Sequence, residues 1–329
     1  MWVISQGKER MTVAFIAIVP TFAGMDCSSS ASASAHLHAA SGCRHFIITL
    51  FNLRLWPRDK QGEQTQTEAW TQQRADLFER YCLPSLQQQT VGNFMWLVLF
   101  DRHSPPSLLR RIEDWQRQVP QLHPLFFGSE AADLLSKDDA KRALFLRKAV
   151  KELADAEPPC RWLLTTNVDN DDAVHRQLVE RLQQAFEREH PEEAHLFCFP
   201  SGWQWFEQGQ VLLRMRYPHN HFLTLAEPLE EGQLPLTIKY FKHTKARKLL
   251  PTTDLEGEPM WMEVVHGRNV SNGLRLSARI SYRCPWKSLR LNDFGLPLTL
   301  SWRHNLWNAL TRVPGLFRRT ALRKLYQKL

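Results

Sequence analysis

Trp162-Leu163-Leu164-Thr165-Thr166-Asn167-Val168-Asp169-Asn170-Asp171-Asp172-Ala173-Val174 decides the reading of this chain, because an apolar run gives way to three carboxylates within four residues. Bounded by Pro158-Pro159 before it and a polar, helix-like segment after it, the run reads as a buried strand delivering acids at its C-terminal end. Open α/β sheets bind ligands at that end of their strands. Asp169 and Asp171, one residue apart on a turn, can direct oxygens at one hard divalent cation, and such a cation can clamp a diphosphate. A helix cap accounts for Asp171 or Asp172 singly, but not for three acids together.

Working upstream, His45 to Phe51 and Phe94 to Asp101 are runs of buried-strand type, the second also ending in an acid, and His123 to Phe127 is a shorter one. Between them the spacing predicts helices over Thr67 to Gln89, bent or restarted by Pro84, and over Leu108 to Val119. Asp138 to Ala154 is a helix started near Ser136 or Asp138. Strands alternating with helices imply right-handed crossovers and a mainly parallel sheet. Downstream, a helix runs to about Glu189, stopped by His190-Pro191, and His195 to Trp205, Val211 to Tyr217 and His221 to Ala226 read as antiparallel strands. Lys239 to Lys248, which also holds His243, reads as a solvated basic face before it reads as a phosphate patch.

The chain has 329 residues, enough for a substantial core, and a net charge of +8. That charge is uneven: no acid follows Asp293, while seven Lys and Arg do. Six scattered cysteines without a C-x-x-C pair argue against a structural zinc site or a disulfide scaffold, so a reducing cytoplasm is the expectation. No run reaches the ~20 apolar residues of a spanning helix. Residues 1–43, rich in Ser, Ala and His toward their end, read as a disordered or spurious extension; the apolar stretch Met11 to Met25 is short for a signal core and is interrupted by Pro20. One folded domain is then expected over 44–295, with a nucleotide-binding α/β half (44–174) and a more strand-like second half (175–295). The remainder, 296–329, is a basic amphipathic tail in which Trp302, Leu306, Trp307 and Leu310 alternate with arginines and Pro314 separates two helices. Such a tail suits an anionic membrane surface or a helix packed on the domain. Nucleic acid is not expected as a partner, because no base-reading module accompanies the charge.

Leu83-Pro84-Ser85-Leu86-Gln87-Gln88-Gln89-Thr90, then Asn93-Phe94 and the strand to Asp101, resembles the helix-to-strand passage of inverting family 2 glycosyltransferases. With Asp169-Asn170-Asp171-Asp172 added, the chain resembles a bacterial rhamnosyltransferase family over roughly Phe46 to Gly295. The resemblance implies an A-type glycosyltransferase fold and a metal-dependent inverting transfer from a nucleoside-diphosphate sugar to a polysaccharide or glycolipid acceptor. It implies that Asp101 and Asp169 contact the donor, and that Asp171 and Asp172 hold Mn²⁺ or Mg²⁺, with His266 as a late histidine returning to the metal. Glu263 is the expected carboxylate base, chosen from Asp254, Glu256, Glu258 and Glu263. Asn167 departs from the family, which favours a basic residue there.

Two alternatives are open at this stage. A haloacid-dehalogenase-like phosphatase also carries D-x-D after an apolar strand, but on its first strand, with the first aspartate as nucleophile. A non-catalytic sugar-binding protein on a transferase fold is the other. An EF-hand is excluded, because Val174 stands where that loop needs Gly.

Overall fold

The structure, a computed structural model, describes residues 42–55, 58, 62, 64–128, 139–155, 160–266 and 280–312. The first strand, β1 (Cys43–Leu50), leads through a loop into α1 (Glu68–Leu77), a π-helical turn (Phe78–Cys82) and α2 (Leu83–Gln87). Then come β2 (Met95–Asp101), α3 (Pro106–Gln118), β3 (Leu122–Phe127), α4 (Asp139–Asp155), β4 (Trp162–Asn167), β5 (Ala173–Val174) and α5 (Leu178–Glu189). The second half holds β6 (His195–Cys198), β7 (Ser201–Phe206), β8 (Val211–Arg216), β9 (Leu223–Pro228), α6 (His243–Leu249), β10 (Thr252–Asp254) and β11 (Trp261–Val265). β12 (Ser281–Arg283), β13 (Leu289–Arg290), β14 (Thr299–Leu300) and a helix over 302–312, α7, complete it.

Seven strands form the main sheet in the order β10-β6-β9-β4-β1-β2-β3. β1, β2, β3 and β4 are mutually parallel, and β9 runs against both β4 and β6. This is the mainly parallel sheet that the βαβ alternation predicts, and the A-type layer that the resemblance implies. Alternate residues of each strand feed two cores. Phe78, Trp96, Trp115, Leu164 and Leu182 pack on one face, and Phe46, Leu97, Val150, Leu163 and Ala246 on the other. A five-stranded sheet, β12-β8-β7-β11-β5, leans on the C-terminal edge of the first through β5, which continues directly from the acid-bearing loop.

Differences from the expected elements have local causes. Pro84 restarts its helix as expected, in the first turn of α2; what the periodicity does not show is the π turn before it, in which the Leu83 N–H bonds the Phe78 carbonyl. His195 to Trp205 is not one strand: it breaks at Phe199-Pro200, and its two halves join different sheets. The boundary expected at 295/296 falls inside the β13–β14 hairpin, whose Leu296 and Leu300 are buried with Phe294. The N-terminal extension, the second tail helix after Pro314 and the start signals of α4 lie outside the described residues.

The Leu83–Thr90 stretch acts as a lock between halves. Gln89 donates to the Ser85 and His175 carbonyls and accepts the Val179 N–H, so it caps α5 from outside. Gly295, at φ +74°, lies so close to the Pro84 backbone that a Cβ would sit 2.6 Å from its carbonyl carbon.

One buried polar thread crosses the main sheet: His45 Nε2 lies 2.7 Å from the Thr166 hydroxyl, which lies 2.8 Å from that of Thr224. Burial drives His45 down to about 3. Below the ordinary histidine value the unfolded chain therefore takes up a proton that the folded chain refuses. Stability present above about pH 6.5 is lost as pH falls toward that lower value, by about 1.4 kcal/mol per pH unit. His45→Gln should flatten this part of the acid limb in urea titrations; an unchanged slope would show that His45 does not set it.

Candidate functional site

The loop after β4 is fixed by the sheet before its acids are placed. Val168 N–H bonds the Ile48 carbonyl, its own carbonyl accepts from Thr49 Oγ1 at 2.8 Å, and the Trp96 indole N–H holds Thr49 in turn. Asn170 donates to the Leu50 and Phe51 carbonyls at 2.9 and 2.7 Å, which ties the loop to the end of β1. The following helix α5 starts at Leu178, and Gln177 at its N-cap makes no side-chain cap, so none of the three aspartates is a helix cap.

Each acid meets a different partner. Asp171 Oδ2 accepts from Arg74 Nη1 at 3.1 Å and lies 2.9 Å from His266 Nε2, while Arg74 Nη2 donates to Asn170 Oδ1 at 2.6 Å. Burial alone would raise the Asp171 carboxyl, but the Arg74 guanidinium and the His266 contact hold it well below the usual carboxylate range. Asp172, fully buried, accepts the Val264 N–H at 2.8 Å and faces His221 Nε2 at 2.8 Å. Burial pushes Asp172 up, while in His221 the charges of Asp169 and Asp172 outweigh burial and also push upward, so the pair retains protons into the neutral range. Asp169 is the open member: its side chain is 44% exposed and lies 3.6 Å from His221 Nε2.

Among the described residues, Asp169, Asp172 and His221 form the group whose ligand atoms converge, all within 4.8 Å of one another. Two carboxylates and an imidazole suit a hard or borderline divalent cation. Beside them Asn167, which donates to the His221 carbonyl, keeps its buried Oδ1 without a hydrogen-bond partner. Thus the expected trio Asp171, Asp172 and His266 is split: Asp171 and His266 meet each other, and Asp172 turns to His221.

Asp101 ends β2 at the same edge of the sheet. It accepts from Arg54 Nε at 3.0 Å and from the His103 N–H at 2.7 Å, and its own N–H bonds Asn52. Glu263, on β11, is buried and accepts from Gln204 Nε2 at 2.8 Å, close enough to His221 to favour its charge. Asp254 is committed to a two-pronged pair with Arg247, and Glu256 pairs with Arg216. The basic segment is not all solvated face: burial lowers the Lys239 ammonium, with the Asp169 carboxylate opposing that and Arg142 adding to it, and the His243 ring centroid is 6.2 Å from that of His221.

His221 and Arg74 escaped the sequence reading. His221 opens a β-like run and carries no motif; Arg74 lies mid-helix among polar residues. The wall behind them depends on a close approach at Gly202, where a Cβ would fall 2.1 Å from the Trp261 ring. Trp261 stacks on Phe222, centroids 5.0 Å apart, and its indole N–H bonds the Phe199 carbonyl.

A family model described as "Putative rhamnosyl transferase" matches residues 60–277. Among solved structures, S. aureus TarS 1-349 is 11% identical over 67% of this chain and 60% of that chain, with a TM-score of 0.38. TarS 1-349 in complex with UDP is 13% identical over 47% of this chain and 35% of that one, with a TM-score of 0.30. A putative nucleotide-diphospho-sugar transferase from Desulfovibrio desulfuricans G20 is 10% identical over 68% and 81%, with a TM-score of 0.32. The chain therefore covers less than two thirds of either TarS chain. No curated protein sequence matches it.

Because Arg74 and Asp171 are both largely buried, Arg74→Met should cost about 3 kcal/mol or more by stranding a carboxylate. Adding Asp171→Asn should restore at least half of that. Denaturant titration of the two variants checks the coupling, and a loss within about 0.5 kcal/mol for the single variant would deny it.

Proposed function

The chain belongs to the putative rhamnosyl transferase family, and we propose that within it this glycosyltransferase moves a sugar, with inversion and metal dependence, from a nucleoside-diphosphate donor to a surface polysaccharide or glycolipid acceptor. The observation carrying this reading is the convergence of Asp169, Asp172 and His221 at the C-terminal edge of the parallel sheet. A phosphatase of the haloacid dehalogenase type needs its acids after the first strand; here they follow the fourth in chain order.

In this proposal Mn²⁺ or Mg²⁺ would be held by Asp169, Asp172 and His221, and when bound it supplies positive charge to the departing diphosphate. Asp169 faces solvent and also suits a contact to the donor's ribose or sugar. Asp101, fixed by Arg54 and Asn52, stands near the base or ribose. Lys239, with Arg142 and His243 close by, offers protein cations to the same phosphates. Asp171 has a neutralising partner in Arg74 and would have to exchange it to join a cation, with His266 beside it.

Inversion requires a carboxylate to take the proton from the acceptor hydroxyl as that oxygen bonds to the anomeric carbon. Glu263 is the proposed base. Its bond to Gln204 requires that acceptor binding open this contact. Glu263→Gln should cut turnover roughly 100-fold or more while leaving donor binding unchanged; measured with transfer assays and donor titration side by side, a loss confined to donor affinity would remove Glu263 as base. We place the enzyme in the cytoplasm, against the inner face of the membrane.

The metal assignment is tested by thermal shift with a panel of nucleoside-diphosphate sugars, with and without Mn²⁺. The wild type should be stabilised by a donor only with the cation, Asp169→Ala should lose that increment, and Asp171→Ala should start from a lower melting point but keep it. Loss in Asp171→Ala alone would return the cation to Asp171. No stabilisation by any donor would sink the transferase reading of this site.

A further inference from the structure

The helix over 302–312 is docked the wrong way round for a soluble domain. Its inward stripe is mainly polar: Asn305 and Asn308 are buried, Arg312 donates to the Gly209 carbonyl, and the small Ala309 packs against Phe206, Val211 and Leu213. Asn305 accepts the Leu212 N–H at 2.7 Å through Oδ1 and donates to the Leu212 carbonyl at 2.9 Å through Nδ2. Among the described residues, β12 pairs with β8 over Arg214 to Arg216 and not over Val211 to Leu213. Asn305 thus stands in for a neighbouring strand on the uncovered stretch of β8, and Asn308 extends the contact by donating to the Gln210 carbonyl.

The consequence appears on the other side. Trp307 is 67% exposed and Leu310 66%, with Leu306 next to them on the same turn of helix. Trp286 is 86% exposed and lies two residues beyond Cys284, whose sulfur touches Asn305. An amphipathic helix normally buries this side and exposes its asparagines. Arg303 stacks its guanidinium over Trp302 at the helix start. From Asp293 to the last residue the sequence has no further acid and seven cations, five of them after residue 312.

We infer that α7 is a membrane-contact helix: Trp307, Leu310 and Leu306 enter the headgroup region of an anionic bilayer, and the cations of the sequence from Arg303 to Lys328 engage its charge. Tryptophan and leucine on one side with cations flanking them match the chemistry of an interfacial helix, and the absence of acids from residue 294 onward selects an anionic over a zwitterionic surface. The docking stripe serves the same end, since it holds the helix on the domain through Asn305, Asn308 and the small Ala309 and leaves Leu306, Trp307 and Leu310 outside. This deepens the placement proposed above and is independent of the chemistry at Asp169 and His221.

The test uses the full chain and co-sedimentation with phosphatidylcholine vesicles, with or without phosphatidylglycerol. Binding should need phosphatidylglycerol and weaken with salt. Trp307→Ser with Leu310→Ser should reduce it roughly tenfold or more, with melting point and oligomeric state unchanged. Replacing Arg318, Arg319, Arg323 and Lys324 by Gln should reduce it separately, with the apolar face intact. Equal binding to both vesicle types, or none, overturns the inference. So does a melting point that falls by several degrees in the double variant, which would show that the chain itself covers this face. A dimer abolished by the double variant would assign the face to a second copy instead. The donor thermal shift reads the active site separately, so either reading can fail alone.

Discussion

Three carboxylates within four residues, placed at the edge of a sheet where two of them are buried, impose an electrostatic demand that shapes the molecule around them. No single neighbouring element meets it. Arg74 comes from α1, His221 from the turn before β9, and the Val264 N–H and His266 from β11 and its end. The two halves of the chain are therefore joined by the need to neutralise one short loop, and an uncompensated buried carboxylate would cost more than most single contacts return. The division of labour follows: Asp171 is satisfied by an arginine, Asp172 by a histidine and a backbone N–H, and Asp169 alone is left facing solvent.

The same demand explains why the scaffold behind the loop is so closely fixed. Hydrogen bonds from Thr49 and Asn170 and the lock made by Gln89 determine where the loop leaves the sheet and where α5 begins. The Leu-Pro-Ser-Leu stretch makes its contribution at a distance, through packing of Gly295 on Pro84 and the bonds of Gln89 rather than through any contact with the acids. A sequence motif here marks a joint, and the chemistry lies elsewhere.

Much of the first half was legible because its signals are local. β1, β2, β4 and the helices between them are continuous apolar runs or helical periods, and the strand ending in acids announces its own role. What stayed hidden depends on partners distant in sequence. Nothing near His221 says that it will face Asp172, 49 residues away, and nothing near Arg74 says that it will neutralise Asp171, 97 residues away. Tertiary pairing also decided which aspartate stays open, whereas spacing alone puts Asp169 and Asp171 on an equal footing. The tail's two readings stay open in the sequence for a related reason: its apolar positions are readable, but which stripe of the helix faces the domain depends on the free edge of β8.

The contact between Gly202 and the Trp261 ring gives a way to read other sequences. A strand position with no room for a methyl group and an indole that seals it form one unit, so a substitution at either should come with a change at the other. In a relative that keeps the acidic loop but replaces the glycine, the indole has to move, and the histidine beside Phe222 would move with it. The identity of those two residues, 59 apart in sequence, would then separate chains that inherit this arrangement of the site from chains that have only the acids.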